Sequence, residues 1–199
     1  MAAKKPVGGA GRIVALLRGV NVGGNKKVPM AQLRALAERL GWRDVATYVQ
    51  SGNLVATAAP GPAAAAAALA TAIEGAFGIV VPVIVRGGAD FVRDLAACPF
   101  ADAEPAQVHV GYCQTPVPAS LPKDVAAYCK AGERVVVAGG VLWADYAGGV
   151  ARSKLTSAVL DRCAGGTVTL RNLNSARAIA ALVGGAGGGT AKSWQGRHH

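Results

Sequence analysis

The order in which strand-like and helix-like segments follow one another restricts the fold of this chain more than any other feature. Arg12–Leu17 is a short apolar run typical of a strand. A helix is predicted to begin at Pro29, which suits a first helical turn, and to end near Gly41, where a C-terminal cap is expected. Its apolar residues follow the spacing of one helical face: Leu33, Leu36, Ala37 and Leu40.

The next segments complete a βαββαβ unit. Val45–Gln50 and Leu54–Thr57 are predicted to form a hairpin, because the turn sequence Ser51–Asn53 separates them. A second helix follows and ends at Gly78, and the β-branched run Ile79–Val85 is predicted to be the fourth strand. This order of elements is that of a ferredoxin-like unit.

The same order begins again after a linking helix at Phe91–Ala97. The predicted elements are a strand at Val108–Cys113, a helix from Ser120 through Lys130, strands at Arg134–Val137 and Val141–Asp145, a helix at Leu155–Ala164, a strand at Val168–Arg171 and a last helix at Ser175–Val183 with Asn174 as N-cap. The sequence therefore predicts an α+β protein with two ferredoxin-like lobes in tandem, at 12–86 and 107–183. Residues 87–106 link the lobes, and flexible tails are expected at 1–11 and 184–199.

The charge of the chain bears on its partners. The 199 residues include 21 Lys and Arg against 11 Asp and Glu, a net charge of +10. Such an excess attracts polyanions, although a basic surface with no ligand explains the charge equally well. The sequence has no apolar signal-peptide core and no run of about 18 strongly apolar residues. We therefore expect a cytoplasmic protein with no membrane partner.

Catalytic and metal chemistry find little support in the sequence. The cysteines at 98, 113, 129 and 163 are widely spaced, which predicts four buried reduced thiols rather than a zinc site. His109 lies within an apolar strand and is interpreted as a packed residue, and the carboxylates form no obvious acid–base pair. Neither the P-loop nor the GxGxxG pattern occurs. We predict no metal, no cofactor and no catalytic residue, and leave open whether the protein is an enzyme.

Topology predicts where polar loops meet. In a βαββαβ unit, the loop after the first strand and the hairpin of the next two strands lie at the same end of the sheet. Here those segments are Arg18–Lys27 and Gln50–Asn53. In the second lobe, the exits of the third and fourth strands share the opposite end and carry Arg152–Lys154 and Arg171–Asn172.

Cations just before helices oppose the helix dipole by about 0.3–1 kcal/mol each, and a bound anion would relieve this conflict. The candidate ligand-binding residues are Arg18, Asn21, Lys26, Lys27, Ser51, Asn53, Arg152, Ser153, Lys154, Arg171 and Asn172. Simpler explanations also exist: the hairpin residues can be only a turn, and Arg152 and Lys154 can be solvated surface charges.

Several motifs resemble one bacterial protein family. They are Leu17–Gly24 followed by Lys27–Met30, then Thr47–Asn53, Arg152–Leu155 and Thr169–Asn174. On these motifs the chain, from about residue 12 to 183, resembles the family called domain of unknown function 1697. Leu173 and Ser175 depart from the tryptophan and threonine that the family often has there. The resemblance implies a two-part α+β fold with ferredoxin-like lobes, and it implies no reaction, substrate or cofactor.

Three functional hypotheses follow. The first is a binding protein for an anionic partner, either nucleic acid or a phosphorylated ligand. The second is an enzyme that acts on a small phosphorylated or carboxylated substrate in a cleft between the lobes, with Arg18, Asn21, Ser51 and Asn53 orienting it. The third is a structural or interaction module in which the motifs only hold loops together.

Overall fold

The computed structural model describes residues 11–23, 26–59 and 61–185. The first lobe contains β1 (Gly11–Leu17), α1 (Met30–Arg39), β2 (Arg43–Tyr48), β3 (Asn53–Ala58), α2 (Pro62–Phe77) and β4 (Val83–Gly87), and α3 (Gly88–Ala96) follows it. The second lobe contains β5 (Val108–Cys113), α4 (Leu121–Val125), β6 (Arg134–Ala138), β7 (Val141–Asp145), α5 (Ser157–Ala164) and β8 (Val168–Asn172), followed by α6 (Leu173–Gly184). Apart from residues 11, 184 and 185, the predicted flexible tails lie outside the described residues.

Each lobe contains one antiparallel four-stranded sheet. The strand orders are β2-β3-β1-β4 and β6-β7-β5-β8, so the central and edge strands occupy equivalent positions in the two sheets. Helices α1 and α2 in the first lobe, and α4 and α5 in the second, occupy the positions expected of a βαββαβ unit. The prediction of two tandem ferredoxin-like lobes is therefore confirmed.

Both sheets are buried on both faces. In β1, Ile13, Ala15 and Leu17 pack with α1 and α2, whereas the alternate residues Val14 and Leu16 belong to the core between the lobes. This alternation is the period of two expected for a strand. The outer sheet faces are thus covered by the helices of their own lobes, and the inner faces belong to one shared core that also includes α3 and α6.

The core between the lobes includes α3 and α6 as well as the two inner sheet faces. Phe91 of α3 stacks on Tyr112 of β5 with ring centroids 5.4 Å apart. Trp143 of β7 and Ile179 of α6 are fully buried in the same core. Because each large apolar side chain contributes about 1.5–3 kcal/mol on burial, this shared core stabilises the contact between the lobes.

The predicted bounds of several elements need correction, and local hydrogen bonds explain two of them. Helix α5 begins at Ser157 because the Thr156 hydroxyl accepts a hydrogen bond from the backbone nitrogen of Val159. Helix α6 begins at Leu173 because Asn172, not Asn174, is its N-cap.

Two further elements are shorter than predicted. Helix α4 ends at Val125 and continues only as a 3-10 turn, and Ser120 makes no side-chain capping bond. Strand β4 begins at Val83, four residues later than predicted. Pro82 has no backbone N–H to donate to a ladder, so the strand begins only after it.

The tight hairpin between β2 and β3 gives a test of the packing. A Cβ atom added to Gly52 would lie 2.6 Å from Leu17 Cβ and 2.6 Å from Val20 Cγ2, and the φ of Gly52 is +72°. We expect Gly52→Ala to lower the free energy of unfolding for two reasons. The left-handed conformation costs an alanine about 1–2 kcal/mol, and the close contacts of its Cβ cost about 1–3 kcal/mol.

Gly41 provides the matched control for this substitution, to be compared in urea denaturation. Its φ is +80°, but no atom lies within 4 Å of an added Cβ. Gly41→Ala is therefore expected to lower the free energy of unfolding only by the cost of the left-handed conformation. Equal losses for the two variants would contradict the close packing of the hairpin against β1.

Candidate functional site

Asn21 joins two of the predicted polar loops. Its side-chain nitrogen donates hydrogen bonds to the carbonyl oxygens of Gln50, at 2.7 Å, and Val28, at 2.9 Å. Its side-chain oxygen accepts a hydrogen bond from the Val28 nitrogen at 2.9 Å. The loop after β1 and the β2–β3 hairpin therefore lie together at one end of the first sheet, as the topology predicted.

Arg171 of β8 connects the second lobe to this group. Its Nε donates to Asn53 Oδ1, and Nη2 donates to the carbonyl oxygens of Leu17, at 2.7 Å, and Ser51, at 3.3 Å. Its Nη1 donates to Thr169 Oγ1 at 2.8 Å and to the Leu170 carbonyl at 2.9 Å. All five guanidinium N–H groups are thus engaged within the protein.

Asn53 completes the contact from the first lobe. It is only 1% exposed, and its amide nitrogen donates to Tyr48 O at 3.1 Å and to Ser51 Oγ at 2.9 Å. These bonds orient its amide oxygen towards Arg171. Four predicted site residues from both halves of the sequence, Arg171, Asn53, Ser51 and Asn21, therefore belong to one connected set of loops.

The Arg171 guanidinium is a buried cation whose described hydrogen-bond partners are all uncharged. Its residue exposure is 9% and burial lowers its pKa to about 10. A guanidinium with this pKa stays protonated at neutral pH, so it cannot act there as a general base. Its role in the fold is to join β8 to the end of β1 and the start of β3.

Arg18 makes a second connection between the lobes. Its Nη1 lies 2.6 Å from both carboxylate oxygens of Asp161 in α5. Asp161 Oδ1 also accepts a hydrogen bond from the Val168 nitrogen at 2.8 Å, which fixes the start of β8. Asp161 is not among the predicted site residues, although a sequence signal was present: it is the only carboxylate between residues 146 and 199.

The other predicted site residues are not part of this set of bonds. Lys26 donates to the Val80 carbonyl at 2.9 Å, Ser153 accepts from the Leu155 nitrogen at 3.0 Å, and Asn172 donates to the Ala106 carbonyl at 2.6 Å. Three exposed cations make no side-chain hydrogen bond to a described residue: Lys27, Arg152 and Lys154.

The positive charge is concentrated in two parts of the sequence. Residues 1–37 contain no carboxylate, and residues 146–199 contain only Asp161, whereas residues 38–145 hold ten carboxylates and seven Lys and Arg. The contacts of Arg18 and Arg171 bring these two carboxylate-poor segments together. The described parts of the segments carry ten cations: Arg12, Arg18, Lys26, Lys27, Arg34, Arg152, Lys154, Arg162, Arg171 and Arg177.

His109, the cysteines and the carboxylates form no metal site among the described residues. Burial lowers the pKa of His109, whose ring packs edge-on against Tyr146 with centroids 5.2 Å apart. All four cysteines are free thiols, but they are partly exposed rather than buried as predicted. Within residues 11–185, as far as they are described, no group of three or more His, Cys, Asp or Glu could hold a metal ion. None of the described helices is both long and apolar enough to span a membrane.

Comparison with known proteins places the chain in a family. The family model described as "Protein of unknown function (DUF1697)" matches residues 11–143. The chain belongs to this family. The family match includes the motifs at 17–30 and 47–53 but ends before 152–155 and 169–174, so the extension of the resemblance to residue 183 stays a prediction.

A solved structure shares the fold of this family member. The conserved bacterial protein SP0830 from Streptococcus pneumoniae is 20% identical, with a TM-score of 0.65 over 88% of this chain and 99% of that chain. No curated protein matches the sequence. The comparisons therefore give a family and a fold but no reaction or ligand.

The geometry of Arg171 predicts that its shape matters as well as its charge. Arg171→Lys keeps the cation but has only three donors on a single nitrogen, so buried acceptors lose their partners at about 1–3 kcal/mol each. We expect Arg171→Lys to lower the free energy of unfolding by about 2 kcal/mol, measured by urea denaturation. Arg177→Lys, on an exposed part of α6, is the control and should change it by less than about 0.5 kcal/mol.

The two partners of the Arg18–Asp161 ion pair should differ in their effect on stability. Arg18→Ala removes a partly exposed ion pair, for which we expect a loss of about 1 kcal/mol or less. Asp161→Ala also leaves the Val168 nitrogen without its acceptor, which adds about 1–3 kcal/mol. Thermal melts of both variants test this order, and a larger loss for Arg18→Ala would contradict the bridging role of Asp161.

Proposed function

We propose that this protein is a non-catalytic binding module for a polyanion, with nucleic acid as the favoured partner. The single observation that supports the proposal is the meeting of the two carboxylate-poor segments at the contact between the lobes. The one carboxylate in these segments, Asp161, is already paired with Arg18. The exposed cations Lys27, Arg152 and Lys154 are therefore not neutralised by a described carboxylate.

The motifs contain residues that hold the fold together and residues that are exposed, and this difference supports binding rather than catalysis. Arg18, Asn21, Asn53 and Arg171 hold the lobes and loops in place through bonds within the protein. The donors of Asn21, Asn53 and Arg171 are occupied, and Arg18 is paired with Asp161, so we expect a ligand to meet the exposed lysines and Arg152 instead. Contacts to phosphate by Lys and Arg need positive charge and exposure, not a buried pocket.

The spread of charge favours a polymer over a small ligand. The exposed cations lie in two different lobes, before α1 and before α5. A long polyanion gains from each phosphate that it places near a cation, whereas a small phosphorylated ligand needs convergent donors. The covered sheet faces exclude the sheet-surface stacking by which many ferredoxin-like domains read RNA, so the proposed contact is to the phosphate backbone and is independent of base sequence.

The test is the salt dependence of binding to a fluorescein-labelled single-stranded RNA, measured by fluorescence anisotropy. Affinity should fall steeply between about 50 and 200 mM salt, because bound phosphates release counterions. The variant Lys27→Ala/Arg152→Ala/Lys154→Ala should bind more weakly and flatten the plot of log K against log salt concentration by about 2, since each lost phosphate contact removes about 0.7.

The control is a triple variant with the same change in net charge, Arg39→Ala/Lys123→Ala/Lys130→Ala. These cations are exposed but lie in the acidic middle of the sequence. If the control weakens RNA binding as much as the test variant, only the total charge matters and the proposed site is wrong. If inorganic polyphosphate binds and RNA does not, nucleic acid is the wrong partner.

A further inference from the structure

The three most exposed large hydrophobic residues of the described chain lie at one end of the first lobe. They are Val22 after β1, Val49 in the β2–β3 hairpin and Val80 before β4, with exposed fractions of 65%, 53% and 68%. The next two, Val92 and Val150, are exposed by 44% and 46% and lie elsewhere in the fold. Single exposed valines are ordinary, but these three fall on neighbouring loops at the same end of one sheet.

Hydrogen bonds hold these three loops together. The Asn21 side chain bonds to Gln50 O, which joins the loop of Val22 to the hairpin of Val49. The Asn21 nitrogen donates to Lys26 O at 3.2 Å, and Lys26 Nζ donates to Val80 O at 2.9 Å. The valine side chains are therefore carried by a braced set of loops, and we call Val22, Val49 and Val80 the valine patch.

The backbone of Val49 adds a second observation. Its φ is +48°, in the left-handed region that a β-branched residue rarely adopts. Such a conformation is strained and persists only where the surrounding structure imposes it. The hairpin therefore keeps valine at an exposed position where asparagine or glycine would be less strained.

The charge around the valine patch indicates what it can bind. Lys26 and Lys27 lie within the same loop as Val22, and the sequence has no carboxylate before Glu38. An apolar centre with a charged rim is the arrangement of a protein–protein interface. Lys26 and Lys27 place positive charge on the side of the patch formed by Val22, so that side is complementary to a partner that combines aliphatic side chains with carboxylates.

We propose that the valine patch is a docking site for an acidic segment of another protein that presents aliphatic side chains between its Asp and Glu residues. The aliphatic side chains pack on Val22, Val49 and Val80, and the carboxylates pair with Lys26 and Lys27. This contact is separate from the proposed phosphate contacts of Arg152 and Lys154, although Lys27 borders both surfaces.

Other occupants fit the patch less well. Single-stranded nucleic acid binds exposed aromatic rings, on which its bases stack, and the patch has only valines. Membrane-surface segments use Trp, Phe or Leu to enter the headgroup region. A second copy of this chain would bring its own net charge of +10 and repel the lysine rim.

The experiment is selection from a displayed library of random dodecapeptides with the full-length protein, followed by affinity measurements on the enriched peptides. We expect enriched peptides to contain Asp or Glu together with Leu, Ile or Val. Their affinity should fall at least tenfold for Val22→Ser/Val80→Ser and for Lys26→Ala/Lys27→Ala. The matched control Val92→Ser/Val150→Ser should bind them as the wild type does, and thermal melts verify that each variant is folded.

Several results would overturn the proposal. The proposal is wrong if no peptide is enriched above the level found with the selection matrix alone. It is also wrong if the enriched peptides bind Val22→Ser/Val80→Ser as tightly as the wild type. Binding to phosphatidylserine vesicles that depends on the valines, without peptide binding, would assign the patch to a membrane instead. Since the valine substitutions leave the net charge unchanged, loss of peptide binding with intact salt-dependent RNA binding separates this inference from the proposed polyanion function.

Discussion

The contact on which the arrangement of the two lobes depends is the buried guanidinium of Arg171. A cation taken out of water is costly unless hydrogen bonds compensate it, and here every N–H group has an acceptor in the protein. The acceptors come from both lobes and include the last residue of β1 and the first residue of β3. A shift of one lobe against the other would leave a buried charge with missing partners, so this contact fixes their relative position more strictly than apolar packing alone.

The same arrangement explains why the loops, rather than the sheets, are the surfaces open to partners. The inner sheet faces pack around α3 and α6, and the outer faces pack on their own helices. The loops at one end of the first sheet are held together by Asn21 and Lys26, and their cations and valines are exposed. The polar motifs thus serve the architecture, and the exposed residues beside them are the ones on which the two proposed contacts rest.

The element order could be predicted from the sequence because the apolar spacing and the turn residues are local signals. Val108–Cys113 and Val141–Asp145 were predicted with the observed bounds, and topology alone placed Asn21 beside the hairpin. Helix starts were less predictable where two capping residues compete, as Asn172 and Asn174 do before α6. The partners of Arg171 could not be predicted, because they depend on how one lobe packs on the other. For Arg18, the isolated carboxylate Asp161 was a signal in the sequence, but its pairing with Arg18 also depends on the packing of the lobes.

The position of β8 and α6 at the end of the described chain has a consequence for synthesis. Residues 168–184 supply Arg171 as well as Leu173, Ala176 and Ile179 of the core between the lobes. During translation, α3 leaves the ribosome directly after the first lobe and can cover part of the inner sheet face, whereas α6, which also packs on β1 and β3, is made only after β8. A ribosome that stops before β8 would release a nascent chain that lacks one strand of the second sheet, the Arg171 contact and α6, a substrate for chaperones or proteases rather than a shorter functional protein.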